Sequence, residues 1–183
     1  MLDKFTWPDY SDTPVSAEIR HWHYTSREVY LRDPRENFIY YKPYNFFGVR
    51  LSIDENAVPA YNWFNNYVIL RRKGNPDTLL HARLHEFGHV LQYQRDPNVF
   101  NDWTYANLSH IYIKEMAASM FAAIFCKEFG YDPAPHIGHV NVCLKYHFIP
   151  GDMIGISYAE AVQLHTFCLE RMGSLAKELF VEP

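Results

Sequence analysis

The chain has 183 residues, of which 48% are hydrophobic and 21% are charged, and this length fits one domain of ordinary size. The apolar content is sufficient for a packed core, which excludes a largely disordered chain. A net charge of −4 provides no general attraction for phosphates, so the composition disfavours nucleic-acid binding. We therefore expect one globular domain over residues 1–183, with no nucleic-acid partner.

The number and spacing of the cysteines and the positions of the apolar residues indicate the cellular compartment of the protein. Cys126, Cys143 and Cys168 are odd in number, widely spaced and placed in segments that read as helical, which is typical of a reducing compartment. The first ten residues contain no apolar run behind a basic cluster, so they do not resemble a secretory signal. The longest nearly uncharged stretch, 116–126, is far shorter than the ~20 residues of a membrane span. The sequence thus predicts a cytoplasmic protein without a membrane partner.

The first half of the chain predicts one weak helix and a small sheet. Apolar residues among charges at 16–33 follow a mediocre helical pattern, which Pro34 ends. Short runs rich in aromatic and β-branched residues, separated by turn residues, then predict strands of one small sheet, antiparallel or mixed in direction. These runs are 37–44, 46–53 and 67–72.

The second half reads as helical. Leucine, phenylalanine and valine recur at helical spacing from Asp77 until Arg95, where Asp96 and Pro97 stop the helix. Gly130 stands where a glycine commonly ends a helix, and Pro150-Gly151-Asp152 indicates a turn. The predicted helices are 77–95, about 108–129, about 134–146 and about 157–179. A small sheet followed by a mostly helical half defines the α+β fold class.

The most informative residues are His85-Glu86-Phe87-Gly88-His89, an HExxH motif inside the predicted 77–95 helix. Residues four apart lie only about 40° apart around a helix, so both imidazoles project from one face and can share a metal ion. Glu86 is the residue after His85, about 100° further around the helix axis, and its carboxylate is within reach of a water on that metal. Two histidine ligands and a carboxylate base are parts of a hydrolytic zinc site. The alternative is a helix without a metal site, in which the two histidines make their hydrogen bonds within a polar groove.

A zinc site of this kind needs a third protein ligand, and Glu115 on the following helix is the best candidate. Its face of that helix carries apolar and small residues, where a carboxylate is costly unless it is paired or bound to a metal. The small residues Ala118 and Ala122, with Gly88 on the first helix, would let the two helices approach closely enough to share one ion.

Other residues compete for roles in this site. Glu115 could instead be a surface residue beside Lys114, and His110 and His81, in that order, are weaker candidates for the third ligand. One residue of the His136 and His139 pair, with His147 beyond it, could stabilise an oxyanion. A partly exposed amphipathic helix is the favoured interpretation of the histidines in this later helix.

Residues 85–89, followed by Glu115 and the 116–123 segment Met-Ala-Ala-Ser-Met-Phe-Ala-Ala, resemble zincin metallopeptidases of the glutamate-ligand type. The pattern is most similar to the small ImmA/IrrE-type peptidases, whose second motif has a glutamate, an alanine three residues later and then Phe-Ala-Ala. The resemblance implies one zinc ion held by His85, His89 and Glu115, with Glu86 as the general base. Ser119 replaces the usual asparagine, and no helix-turn-helix is detected.

The predicted function is therefore a zinc metallopeptidase, an endopeptidase acting on a protein or peptide substrate. In such folds a strand beside the metal pairs with the extended substrate, and 67–72 is the candidate edge strand. Alternatives are an inactive zincin fold that binds a partner, a zinc hydrolase acting on a non-peptide amide or ester, and an interaction protein without metal.

Overall fold

The structure is a computed structural model that describes residues 48–62, 64–71, 75–95, 108–149, 154–172 and 174–180. It is an α+β fold in which helices predominate, as the sequence predicts. The elements in chain order are β1 Arg50–Asp54, β2 Ala60–Asn62, β3 Tyr67–Arg71, α1 Pro76–Arg95, α2 Leu108–Phe129, α3 Ala134–Tyr146, β4 Phe148–Ile149, β5 Ile154–Gly155, α4 Tyr158–Met172 and α5 Ser174–Leu179. The predicted helix at 16–33 and strand at 37–44 lie outside the described residues.

The first three strands form a mixed sheet in the order β1-β3-β2. β1 runs parallel to β3, whereas β2 pairs with β3 in the antiparallel direction. Val68 and Leu70 of β3 are fully buried, as expected for the central strand of a sheet that packs on helices. The prediction that 67–72 is the edge strand is therefore wrong, because the three-residue strand β2 covers that side of β3.

Helix α2 forms the centre of the core. Residues 111–126 are all buried except Glu115, which is partly exposed. A helix that is apolar on nearly all faces is stable only when other elements surround it, and α2 packs against α1, α3, α4 and α5. Gly130 ends it with a φ of +77°, and the Tyr131 N–H donates to the Cys126 carbonyl at 2.8 Å. That bond from the second residue beyond the helix is the glycine-based termination predicted from the sequence.

Close contact between α1 and α2 depends on Gly88. A Cβ atom at this position would lie 2.8 Å from the Ala118 carbonyl oxygen and 2.9 Å from the Ala118 Cα. Both neighbours are backbone atoms, so the two helices would have to move apart to accept a side chain. The prediction that Gly88 and Ala118 allow a close helix approach is confirmed.

We expect Gly88→Ala to destabilise the fold by about 1–2 kcal/mol, because the cost of overpacking exceeds the gain in helix propensity. Gly138→Ala is the matched control, since a Cβ at that helical glycine meets nothing within 4 Å. The control should be stabilised by up to about 1 kcal/mol. Urea unfolding of both variants measures the difference, and equal stabilities would show that the α1–α2 contact is not tight.

The end of the chain differs from the prediction in two places. The predicted helix at 157–179 is two helices, α4 and α5, and the short strands β4 and β5, which were not predicted, pair in the antiparallel direction. The predicted Pro150-Gly151-Asp152 turn lies outside the described residues. His147 caps α3 in the left-handed conformation with a φ of 45°. Its Nδ1 atom lies 2.7 Å from the Ile156 carbonyl oxygen, so this histidine joins the helix end to the residue after β5. Within the described residues, no helix combines the length and apolarity needed to cross a membrane.

Candidate metal centre

Helices α1 and α2 bring three candidate ligands together. His85 and His89 project from the same face of α1, with ring centroids 4.9 Å apart and planes at 89°. His85 Nε2 lies 3.0 Å from Glu115 Oε2, and His89 Nε2 lies 3.2 Å from Glu115 Oε1. Each carboxylate oxygen thus faces one imidazole, and one ligand atom from each residue lies within 4.8 Å of the others.

The cluster is enclosed but accessible from one side. The side chains of His85 and Glu115 are 19% and 15% exposed, whereas the His89 side chain is only 9% exposed. Lys114, the neighbour of Glu115, is itself buried with 1% exposure. Glu115 is therefore not a solvated surface residue beside Lys114. The partial exposure fits a metal site that keeps one coordination position open.

Electrostatic attraction between Glu115 and the two histidines changes the pKa values of Glu115 and His89. Burial alone would raise the pKa of Glu115, but His89 and His85 hold that pKa well below its usual value. Burial would also lower the pKa of His89, yet the neighbouring Glu115 carboxylate raises it overall. An ionised carboxylate between two imidazoles is an anionic donor set suited to a divalent cation.

Glu86 lies beside this cluster and faces the sheet. Its side chain is buried, and burial raises the pKa of its carboxyl group, whereas the nearby His89 and His85 lower it. The backbone of Tyr61 in β2 forms a hydrogen bond to the same carboxylate. A carboxylate with a raised pKa next to a cation site has the properties of a general base.

A buried polar chain behind His85 fixes its orientation. Ser119 Oγ lies 3.0 Å from His85 Nδ1 and 2.8 Å from His139 Nδ1, so one hydroxyl joins the two imidazoles. Ser119 has no exposed surface. Such a partner fixes the tautomer of a ligand histidine and leaves its Nε2 facing the metal position. Sequence reasoning placed Ser119 among the small residues on the Glu115 face and noted it as a departure from a family pattern, but assigned it no contact with a histidine.

We expect Ser119→Ala to weaken zinc binding about 10–100-fold, the usual cost of removing an outer partner of a metal ligand. The control is Thr166→Ala, which removes an exposed hydroxyl that donates to the Val162 carbonyl within α4. Competition against a zinc-binding dye measures both affinities. Unchanged affinity in Ser119→Ala would mean that the hydroxyl does not orient His85.

The remaining predicted candidates occupy different places. His139 contacts Ser119, and its ring centroid lies 6.0 Å from that of His85, so it lies behind the ligand cluster. α3 is a partly exposed amphipathic helix, as predicted, and His136 lies on its buried face. His110 lies in the first turn of α2, and its side chain falls outside the described part of the chain.

His81 and His136 belong to a second group. His81 Nδ1 lies 3.1 Å from His136 Nε2 and 4.0 Å from Cys126 Sγ. Burial and the neighbouring histidines His81, His85 and His139 lower the pKa of His136 to about 3. Burial and then the Asp132 carboxylate raise the pKa of Cys126 to about 12. Both groups are therefore neutral near pH 7 in the metal-free protein.

Comparisons with protein-family models, with curated proteins and with solved structures gave no significant match to this chain.

Proposed function

We propose that the protein is a zinc-dependent endopeptidase of the zincin class, similar to the ImmA/IrrE-type enzymes. The observation that carries the proposal is the convergence of His85, His89 and Glu115 beside the buried carboxylate of Glu86. Two imidazoles and one carboxylate are the ligand set of many catalytic zinc sites. The HExxH motif and the 115–123 segment supply the resemblance to the peptidases.

The donor set fits zinc in atom type, because zinc binds imidazole nitrogen and carboxylate oxygen. One ligand atom from each of the three residues lies within 4.8 Å of the others. Ligands of a tetrahedral zinc ion are about 3.4 Å from one another, given zinc–nitrogen and zinc–oxygen distances of about 2.0–2.2 Å. Side-chain adjustments of about an ångström would therefore bring the three ligands onto the ion. Bound zinc would polarise the substrate carbonyl and make water more acidic.

Glu86 performs the proton transfers in this proposal. Its carboxylate accepts the proton of the attacking water and then donates it to the leaving amine of the cleaved peptide bond. Burial of this carboxyl group keeps bulk water away from the proton that it carries between the two steps. An inactive fold that only recognises a partner would not require a base at this position, so the presence of Glu86 favours an enzyme.

The edge of β2 is the surface best placed to hold an extended substrate. β2 packs against α1, and Tyr61 within it contacts Glu86. Among the described strands, β2 pairs only with β3, which leaves its other side without a strand partner. An extended peptide that pairs along this side would cross in front of Glu86. The substrate-binding edge is thus assigned to β2 in place of β3.

Cleavage of a peptide mixture tests the proposal. Wild-type protein is incubated with a proteome-derived peptide library, and new termini are identified by mass spectrometry. We expect cleavage that stops after chelation and returns when zinc is added. Chelator-resistant cleavage, or hydrolysis confined to non-peptide amides or esters in a parallel panel, would contradict a zinc endopeptidase.

A further inference from the structure

A second cluster of metal-ligand side chains lies outside the site described above. It consists of His81 on α1, Cys126 on α2 and His136 on α3, and one ligand atom from each lies within 4.8 Å of the others. Cys126 has no exposed surface and His136 is 5% exposed, whereas His81 is partly exposed, so the cluster lies just below the protein surface. All three cysteines of the chain are free thiols, and Cys126 is therefore available as a ligand.

Two of the three ligand-atom separations are close to those of a zinc coordination sphere. In tetrahedral geometry, zinc–nitrogen distances of about 2.0–2.1 Å and a zinc–sulfur distance of about 2.3 Å place nitrogens about 3.3 Å apart and nitrogen about 3.6 Å from sulfur. His81 Nδ1 lies 3.1 Å from His136 Nε2 and 4.0 Å from Cys126 Sγ, and the ligand atoms of Cys126 and His136 lie within 4.8 Å of each other. Shifts of about an ångström or less would therefore bring all three ligand atoms to zinc-binding separations.

The donor types also select the metal. Two imidazole nitrogens and one thiolate favour borderline-soft ions such as zinc, and they disfavour calcium and magnesium, which prefer oxygen ligands. We propose that His81, Cys126 and His136 form a second metal site that binds Zn²⁺. Binding transfers the Cys126 thiol proton to solvent, because the thiolate is the form that coordinates zinc.

An ion at this position would connect α1 and α2, which carry the ligands of the first site, to α3. Helix α1 holds His81 of the second cluster and His85 of the first site, and α3 holds His136 of the second cluster and His139, which lies behind the first site. A bound zinc ion adds its binding free energy to the folded state. The second site thus holds α1, α2 and α3 in the arrangement that the first site needs, and it does not depend on peptidase activity.

Metal titration separates the two sites. Metal-free wild-type protein is titrated with Zn²⁺ and, separately, with Co²⁺, whose thiolate complexes absorb in the near ultraviolet. We expect two zinc equivalents and a cobalt–thiolate band in the wild type, but one equivalent and no band in Cys126→Ala. Cys143→Ala and Cys168→Ala, which remove the other two buried thiols, should behave like the wild type.

Two further variants test the second metal site independently of Cys126→Ala. His136→Gln should also lose one equivalent, which covers the case that Cys126→Ala fails to fold. Glu115→Ala should keep the cobalt–thiolate band, because that variant removes only the first site. A wild-type protein that gives no band, or a band that survives in both Cys126→Ala and His136→Gln, would overturn the proposal. The contact between His81 and His136 would then be an ordinary hydrogen bond.

Discussion

The Glu86→Gln variant is expected to bind zinc as the wild type does and to lose peptide hydrolysis by a factor of at least about 10²–10⁴. Glutamine has nearly the same shape as glutamate, so the packing beside β2 is preserved. Its amide cannot accept a proton from water, and the general-base step is therefore removed. Cleavage rates on one library-derived peptide, measured beside zinc content, test this expectation.

The control for this variant is Glu178→Gln, which makes the same substitution at an exposed position of α5. It should keep full activity. Equal cleavage by the wild type and by zinc-loaded Glu86→Gln would exclude Glu86 as the base. An inactive wild type that still binds zinc would instead favour a partner-recognition role.

Glu115→Ala is expected to weaken zinc binding at the first site by more than the 10–100-fold typical of outer partners. The substitution removes the only carboxylate in the His85–His89–Glu115 group and leaves two imidazoles as ligands. Hydrolysis should fall with occupancy and recover only partly at high zinc concentration. Calorimetric titration in the Cys126→Ala background isolates this site from the second cluster.

Two controls accompany Glu115→Ala. Glu170→Ala removes an exposed carboxylate from α4 and should leave the zinc affinity unchanged. His110→Ala removes the competing third ligand proposed from the sequence and should also have no effect. Zinc that persists in Glu115→Ala but is lost in His110→Ala would reassign the third ligand.

Local sequence signals were sufficient to predict α1, α2 and α3. Apolar residues at helical spacing identified α1, and Gly130 marked the end of α2. Gly88 was also interpretable, because small residues on both helices indicated a close helix approach. The contact with Ala118 supports that interpretation.

Strand arrangement could not be predicted in the same way. β2 has only three residues, too few for a periodic pattern, yet it decides which side of β3 is covered. The strands β4 and β5 have two residues each and are stabilised by antiparallel pairing with each other, and nothing in their composition distinguishes them from loops. Parallel pairing of β1 with β3 depends on contacts between distant parts of the chain.

In the candidate metal centre, too, features within one helix could be predicted from the sequence, whereas contacts between helices could not. The i, i+4 spacing of His85 and His89 is a property of one helix, and it indicated their shared face. Ser119 and His139 meet His85 only because three helices pack together, so no spacing in the sequence identifies them. The Cys126 thiol was interpreted as an ordinary buried apolar group for the same reason.

The most direct test of the account is a crystal structure of zinc-loaded protein with diffraction data collected on both sides of the zinc absorption edge. We predict an anomalous peak within about 2.0–2.2 Å of His85 Nε2, His89 Nε2 and a Glu115 carboxylate oxygen. Its open coordination position should face Glu86. Density that lacks a zinc peak among these three residues, in crystals grown with excess zinc, would contradict the proposed metal centre.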